Sequence, residues 1–195
     1  MTKIGFLVSH NGTLMQTVVK ACRDGRLAAE PRLVISNNLE SGALNFARKE
    51  NLAWRHLSSS THGNPSELDQ AILDTLREAE AELILLLGYN RLLGPKTLQA
   101  YKGHIFNIHP SLLPKFGGKG MYGIRVHEAV IAAKEKATGI TIHHVSPEYD
   151  QGEIVSQCTI TVQADDTAQS LAARVLQREY TFLVETLQKL LSKKM

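Results

Sequence analysis

Phe106-Asn107-Ile108-His109-Pro110-Ser111-Leu112-Leu113-Pro114 is the stretch that decides the fold. Its first four residues alternate as a strand does, which puts Asn107 and His109 on one face. Pro110 has no N–H to continue a ladder, so both polar side chains stand at the C-terminal mouth of that strand. In open α/β sheets the mouth is where ligands bind. Asp150-Gln151-Gly152 follows downstream on a loop. An amide, an imidazole and a carboxylate gathered at such an edge can stabilise an oxyanion and move protons. Asn107, His109 and Asp150 are the candidate catalytic residues.

Upstream of this stretch, short apolar runs alternate with helical patterns. Strands are expected at Ile4–Val8, Leu33–Ser36, Ala53–Leu57, Leu83–Leu87 and Ile105–Ile108. Helices are expected over Thr13–Arg23, Ala43–Asn51 and Pro65–Ala79, with a short one begun by Pro95. Continuous apolar strands separated by helices imply an α/β fold with a doubly wound, Rossmann-like, mostly parallel sheet. Downstream, Lys115 to Gly123 holds four glycines in nine residues and reads as a mobile loop, either a lid or plain surface. A helix over Arg125–Lys134 leads to two strands, Gly139–Val145 and Ile154–Val162, read as antiparallel around the Ser146–Gly152 loop. A long C-terminal helix, Ala168–Leu191, closes the chain. Its apolar stripe runs through Leu171, Val175, Leu176, Leu183 and Leu187, and carries the acid Glu179.

The 195 residues suit a single domain, and 43% apolar with 21% charged is an ordinary globular composition. A net charge of +3 permits small anionic substrates. No dense Lys/Arg stripe marks a nucleic-acid partner. The basic cluster Lys193-Lys194 beside Lys189 reads as a solvated helix end. No apolar run approaches membrane-spanning length, and Lys3 to Val8 enters a strand without a signal-peptide pattern, so a cytoplasmic protein with no membrane partner is expected. Cys22 and Cys158 read as two buried, reduced thiols. The eight histidines show no zinc-ligand spacing, and no metal is expected. His143 and His144 alternate on a strand, one facing in and one out.

Ser9-His10-Asn11-Gly12-Thr13-Leu14 joins the first strand to the first helix. Backbone N–H groups and the helix dipole there suit an anion, and an ordinary turn explains the same residues equally well. The junction lacks Gly-x-Gly-x-x-Gly, and the second strand ends in Asn37-Asn38 with no acid for a ribose. A nicotinamide oxidoreductase is disfavoured on both counts.

The blocks Asn107 to Pro114, Gly139-Ile140-Thr141-Ile142-His143 and Asp150-Gln151-Gly152 closely resemble the folate-dependent formyltransferases, and the resemblance spans the whole chain. It implies the formyltransferase fold, with residues 1–195 as one domain. Residues 1–100 form its acceptor and phosphate half, and residues 101–195 its catalytic and folate half. The implied co-substrate is 10-formyltetrahydrofolate, without a metal. The implied acceptor is the amine of glycinamide ribonucleotide, in de novo purine (IMP) biosynthesis. The alternatives are a different, non-phosphorylated amine or a non-catalytic folate-binding relative. A homodimer is permitted.

The resemblance also implies residue roles. Asn107 and a protonated His109 would hold the developing oxyanion, with Asp150 keeping His109 charged and relaying the amine proton through water. Arg91 and Leu93, with Val145, Ser146, Pro147, Glu148 and Tyr149, match folate-binding positions. Asn11, Gly12, Thr13 and Leu14 match the acceptor phosphate loop; Gly88, Ile108 and Pro110 lie beside the acceptor, and Glu179 matches an acid that bonds ribose hydroxyls.

Two departures fall on the acceptor side. The family loop usually reads Ser-Gly-x-Gly-Ser/Thr-Asn, whereas here His10 replaces a glycine and Leu14 the asparagine. Leu176 stands where a polar or basic residue is usual. Lys119, Arg178 or His10 are the candidates to substitute for those lost polar groups.

Overall fold

Seven strands form one sheet in the order β3-β2-β1-β4-β5-β6-β7 in the computed structural model, which describes residues 1–192. The strands are β1 (Thr2–Leu7), β2 (Ala29–Ser36), β3 (Ala53–His56), β4 (Leu83–Leu86), β5 (Ile105–His109), β6 (Ala137–His144) and β7 (Ile154–Thr161). The first five pair in parallel, and β6 and β7 turn the sheet antiparallel. The helices are α1 (Thr13–Arg23), α2 (Gly42–Lys49), α3 (Pro65–Glu78), α4 (Pro95–Ala100), α5 (Ile124–Ala132) and α6 (Ala168–Ser192). Lys193-Lys194 lies outside the described residues.

Alternation along each strand splits the core into two layers. Ile4 and Phe6 of β1 join a cluster with Met15 of α1, Leu44 of α2, Val130 of α5 and Leu183 of α6. Leu7 faces the other way, towards Ile72 and Leu76 of α3. Helices therefore cover both faces, as continuous apolar strands require. Because β1 pairs β2 on one side and β4 on the other, the order in which strands are added to the sheet reverses between β1 and β4, which stay parallel. The crevice at that reversal opens between Ser9 and Gly88, whose backbones are joined by Ser9 N–H donating to Gly88 O at 3.1 Å.

Two expectations need correction. The second strand begins at Ala29 rather than Leu33 and includes Pro31. The proline is tolerated because β3 pairs with β2 only from Leu33 onward, which leaves Pro31 a partner on one side alone. Cys22 is buried, but Cys158 on the edge strand β7 is only half-buried; both are free thiols. Among the described residues, no helix is long and apolar enough to cross a membrane.

Candidate active site

Strand β5 and the antiparallel strand β6 put the site together. Asn107 sits directly opposite His143, and His109 opposite Thr141. Asp150 arrives from the β6–β7 loop at φ 56°, a left-handed conformation that aspartate tolerates better than most side chains. The result places Asn107 Nδ2 3.0 Å from His143 Nε2 and 3.4 Å from Asp150 Oδ1. His109 Nδ1 is 3.5 Å from Asp150 Oδ2. The three predicted catalytic residues are thus brought together.

The hydrogen bonds set the tautomers. His143 Nδ1 lies 2.8 Å from the carbonyl of His144, which can only accept, so Nδ1 carries the proton. Its Nε2 stands between the amide and the carboxylate, 3.0 Å from Asn107 Nδ2 and 3.5 Å from Asp150 Oδ1. Asn107 Nδ2 also donates to Asp150 Oδ1 across the longer distance of 3.4 Å, the weaker of its two contacts. His109 Nε2 lies 2.8 Å from the carbonyl of Phe116 and must donate there, which leaves Nδ1 on the Asp150 side. His143 was not singled out as a site residue by sequence. Its position opposite Asn107 was the available signal, once β5 and β6 are paired.

The expected protonated His109 is not what the free site favours. Burial pushes its imidazole below the usual histidine range. The Asp150 charge and the Phe116 carbonyl pull the other way without prevailing, and His143 adds to the depression. Burial also works against the Asp150 carboxylate, but His143, His109 and the Gly118 N–H together hold it below the usual carboxylate range. The free site therefore pairs a neutral imidazole with an anionic aspartate.

The glycine-rich segment is part of this arrangement rather than plain surface. Its Phe116 carbonyl holds His109, and its Gly118 N–H donates to Asp150 Oδ2 at 2.9 Å. A Cβ on Gly117 would meet Leu113 Cδ2 and come 3.2 Å from Asp150 Cβ, so any larger residue here has to displace the Leu113 side chain beside the catalytic aspartate. The preceding turn is pinned by Thr141, whose Oγ1 donates to Ser111 O at 2.7 Å and accepts from Leu113 N at 3.1 Å. Gln157 Nε2 bonds the same hydroxyl and Leu113 O. The Leu113–Pro114 peptide is cis. Gly152 packs against the carbonyl of His144, where a Cβ would collide.

A cavity of about 500 Å³ opens over these groups. Of the expected folate residues, Arg91, Leu93, Val145, Ser146, Glu148 and Tyr149 line it, and Pro147 does not. Gly88, Ile108 and Pro110 line it as well. Asn11, Gly12, Thr13 and Leu14 do not; they sit at the start of α1, where Gly12 is the N-cap and no side chain caps the first turn. Leu14 is half-buried and packs against the core. Glu179 lies outside the cavity on α6, only 7% exposed, with no hydrogen bond or ion pair among the described residues, and burial pushes its carboxyl up to about 7. Of the substitute cations, Arg178 is committed to both carboxylate oxygens of Glu185, at 3.0 and 2.9 Å. His10 and Lys119 line the cavity.

The sequence profile of the formyl transferase family matches residues 2–187. A chloroplastic phosphoribosylglycinamide formyltransferase from Vigna unguiculata is 39% identical over 189 residues, covering 96% of this chain and 60% of that protein. The chain thus spans under two thirds of that plant relative's length. The phosphoribosylglycinamide formyltransferase of Haemophilus influenzae is 36% identical over 180 residues, covering 92% of this chain and 82% of that one. The crystal structure of phosphoribosylglycinamide formyltransferase from Bacillus halodurans superposes with a TM-score of 0.92 at 30% identity, covering 100% of this chain and 97% of that one.

Proposed function

Because the chain belongs to the formyl transferase family, we propose that it transfers the formyl group of 10-formyltetrahydrofolate to the amine of glycinamide ribonucleotide, a step of de novo purine synthesis. The observation that carries this reading is the joined set of Asn107, His109, His143 and Asp150 at the cavity floor. Acyl transfer to an amine needs a donor for the oxyanion and a route for one proton. Asn107 supplies the donor through the amide N–H that reaches Asp150 Oδ1 at 3.4 Å in the free site, a long contact that the oxyanion replaces. His109 is neutral and anchored at Nε2, so its Nδ1 is the available base for the attacking amine. The imidazolium formed in that step lies against Asp150, and its proton then passes to the folate nitrogen as the C–N bond to the formyl carbon breaks. One proton leaves the amine and one arrives on the folate nitrogen, so the reaction balances.

The apolar and amide surface of Leu93, Val145 and Ser146 suits the folate ring system. Residues 1–100 carry the acceptor end, where the first-turn N–H groups of α1 suit a phosphate and Glu179 suits ribose hydroxyls. Residues 101–195 carry the catalytic set, and Arg91 and Leu93 extend the folate wall across that division.

The test is turnover of 10-formyltetrahydrofolate with glycinamide ribonucleotide beside a panel of primary amines. Asn107→Ala and Asp150→Asn are each expected to lower kcat by about 10²–10³, the usual weight of an oxyanion donor. Variants within about tenfold of the parent would remove these roles. Transfer to another amine, with none to the ribonucleotide, would overturn the acceptor.

A further inference from the structure

Lys119 and Arg125 border the cavity from the side of the glycine-rich segment. Neither makes a hydrogen bond or an ion pair among the described residues. Neighbouring cations are differently placed: Lys115 is bound to Glu135 at 2.7 Å, and Arg178 is held by Glu185. The Arg125 guanidinium lies 5.1 Å from the ring centre of Tyr122, which is itself 53% exposed. A ring contact of that kind orients the guanidinium and leaves its N–H donors free. The backbone around Lys119 is fixed, because Gly118 N–H donates to Asp150 and Met121 N–H donates to Gly118 O at 3.0 Å. The acids on the same cavity are Asp150, already engaged with Gly118 and His109, and Glu148, an exposed carboxylate that pairs with neither cation.

We propose that Lys119 and Arg125 form an anion subsite at the cavity wall that holds a carboxylate or phosphate group of a bound substrate, with Tyr122 orienting the guanidinium. Two cations without an ion-pair partner at a concave wall attract and hold such groups. The proposal rests on the formyl-transfer reading, in which both substrates carry the chemistry: a phosphate on the acceptor, and glutamyl carboxylates on the folate.

Steady-state kinetics of Lys119→Gln, Arg125→Gln and the double variant test it on the full chain. The double variant is expected to raise the KM of one substrate at least about tenfold, the size of one lost charge-assisted contact. Its kcat should stay within about threefold of the parent, and the gap should narrow as salt rises. A rise for the folate that is larger with a triglutamyl than a monoglutamyl chain identifies the carboxylate source. A rise for glycinamide ribonucleotide identifies the phosphate. Arg125→Lys should recover part of the loss, and near-ultraviolet circular dichroism checks that each variant is folded. If both KM values of a folded double variant stay within about threefold and ignore salt, the subsite does not exist. Absence of turnover in the parent would sink the function instead. In that event, calorimetric titration with folate triglutamate and with inorganic phosphate still decides the subsite, since equal affinities for parent and double variant overturn it.

Discussion

Replacing Glu179 by glutamine should stabilise the free protein, and by an amount that depends on pH. The carboxyl is buried on α6 without a partner, and burial raises it from an ordinary 4.5 to about 7. As pH rises past 4.5 the unfolded chain releases this proton while the folded chain keeps it. The folded state thus loses stability through that window and levels off above about 7. At about 1.36 kcal/mol per pH unit, the full loss is about 3 kcal/mol. The glutamine variant has no such loss, so the two proteins should match below pH 4.5 and differ by about 3 kcal/mol at pH 8. For a chain of this size that is a rise in Tm of about 6–12 °C. Urea unfolding at half-unit steps from pH 5 to pH 8 measures it. Ribose hydroxyls bonding to the carboxylate would favour its charged form, so acceptor binding near pH 6 should release a proton, visible as a buffer-dependent binding enthalpy. A stability difference that stays constant across the pH range would refute the reasoning, because it would show that Glu179 titrates alike in both states.

Other substitutions probe the packing behind the site. Gly152→Ala drives a methyl into the carbonyl of His144, the group that fixes the His143 tautomer. It should cost about 1–3 kcal/mol of stability and lower kcat/KM well beyond what that loss of folded protein explains. Unchanged melting and turnover would contradict the packing. His127, buried on α5 with an unpartnered Nδ1, is pushed down to about 4, chiefly by burial and further by His109. Its proton is taken up by the unfolded chain first, so its contribution to stability is lost as pH falls from about 6.5 towards 4. His127→Leu should flatten that acid limb in denaturant unfolding, and an unaltered limb would exclude His127 as its source.

The alternation of apolar and polar residues before Pro110 was enough to place Asn107 and His109 at a strand mouth, because strand period and a missing N–H are local properties. The parallel order of the first strands was legible for the same reason. What the chain does at a distance was less so. His143 becomes the partner of Asn107 only through the β5–β6 register. Phe116 and Gly118 act through backbone atoms, which residue identity does not advertise. A nearby aspartate can be read from sequence, but the depth of burial that pushes the His109 imidazole down cannot. Arg178 looked available as a substitute cation until Glu185, two turns along the same helix, was seen to hold it.

His109 and Asp150 are both restrained by the main chain of one glycine-rich segment. Main-chain bonds survive replacement of side chains as long as the path itself is kept, and Gly117 keeps it. Lys119, Met121 and Tyr122, on the same segment, face the cavity with side chains that the catalytic groups do not use. Recognition and chemistry are thereby carried by different atoms of the same few residues. Substrate preference can drift at those three positions while the alignment of the reacting groups is inherited unchanged.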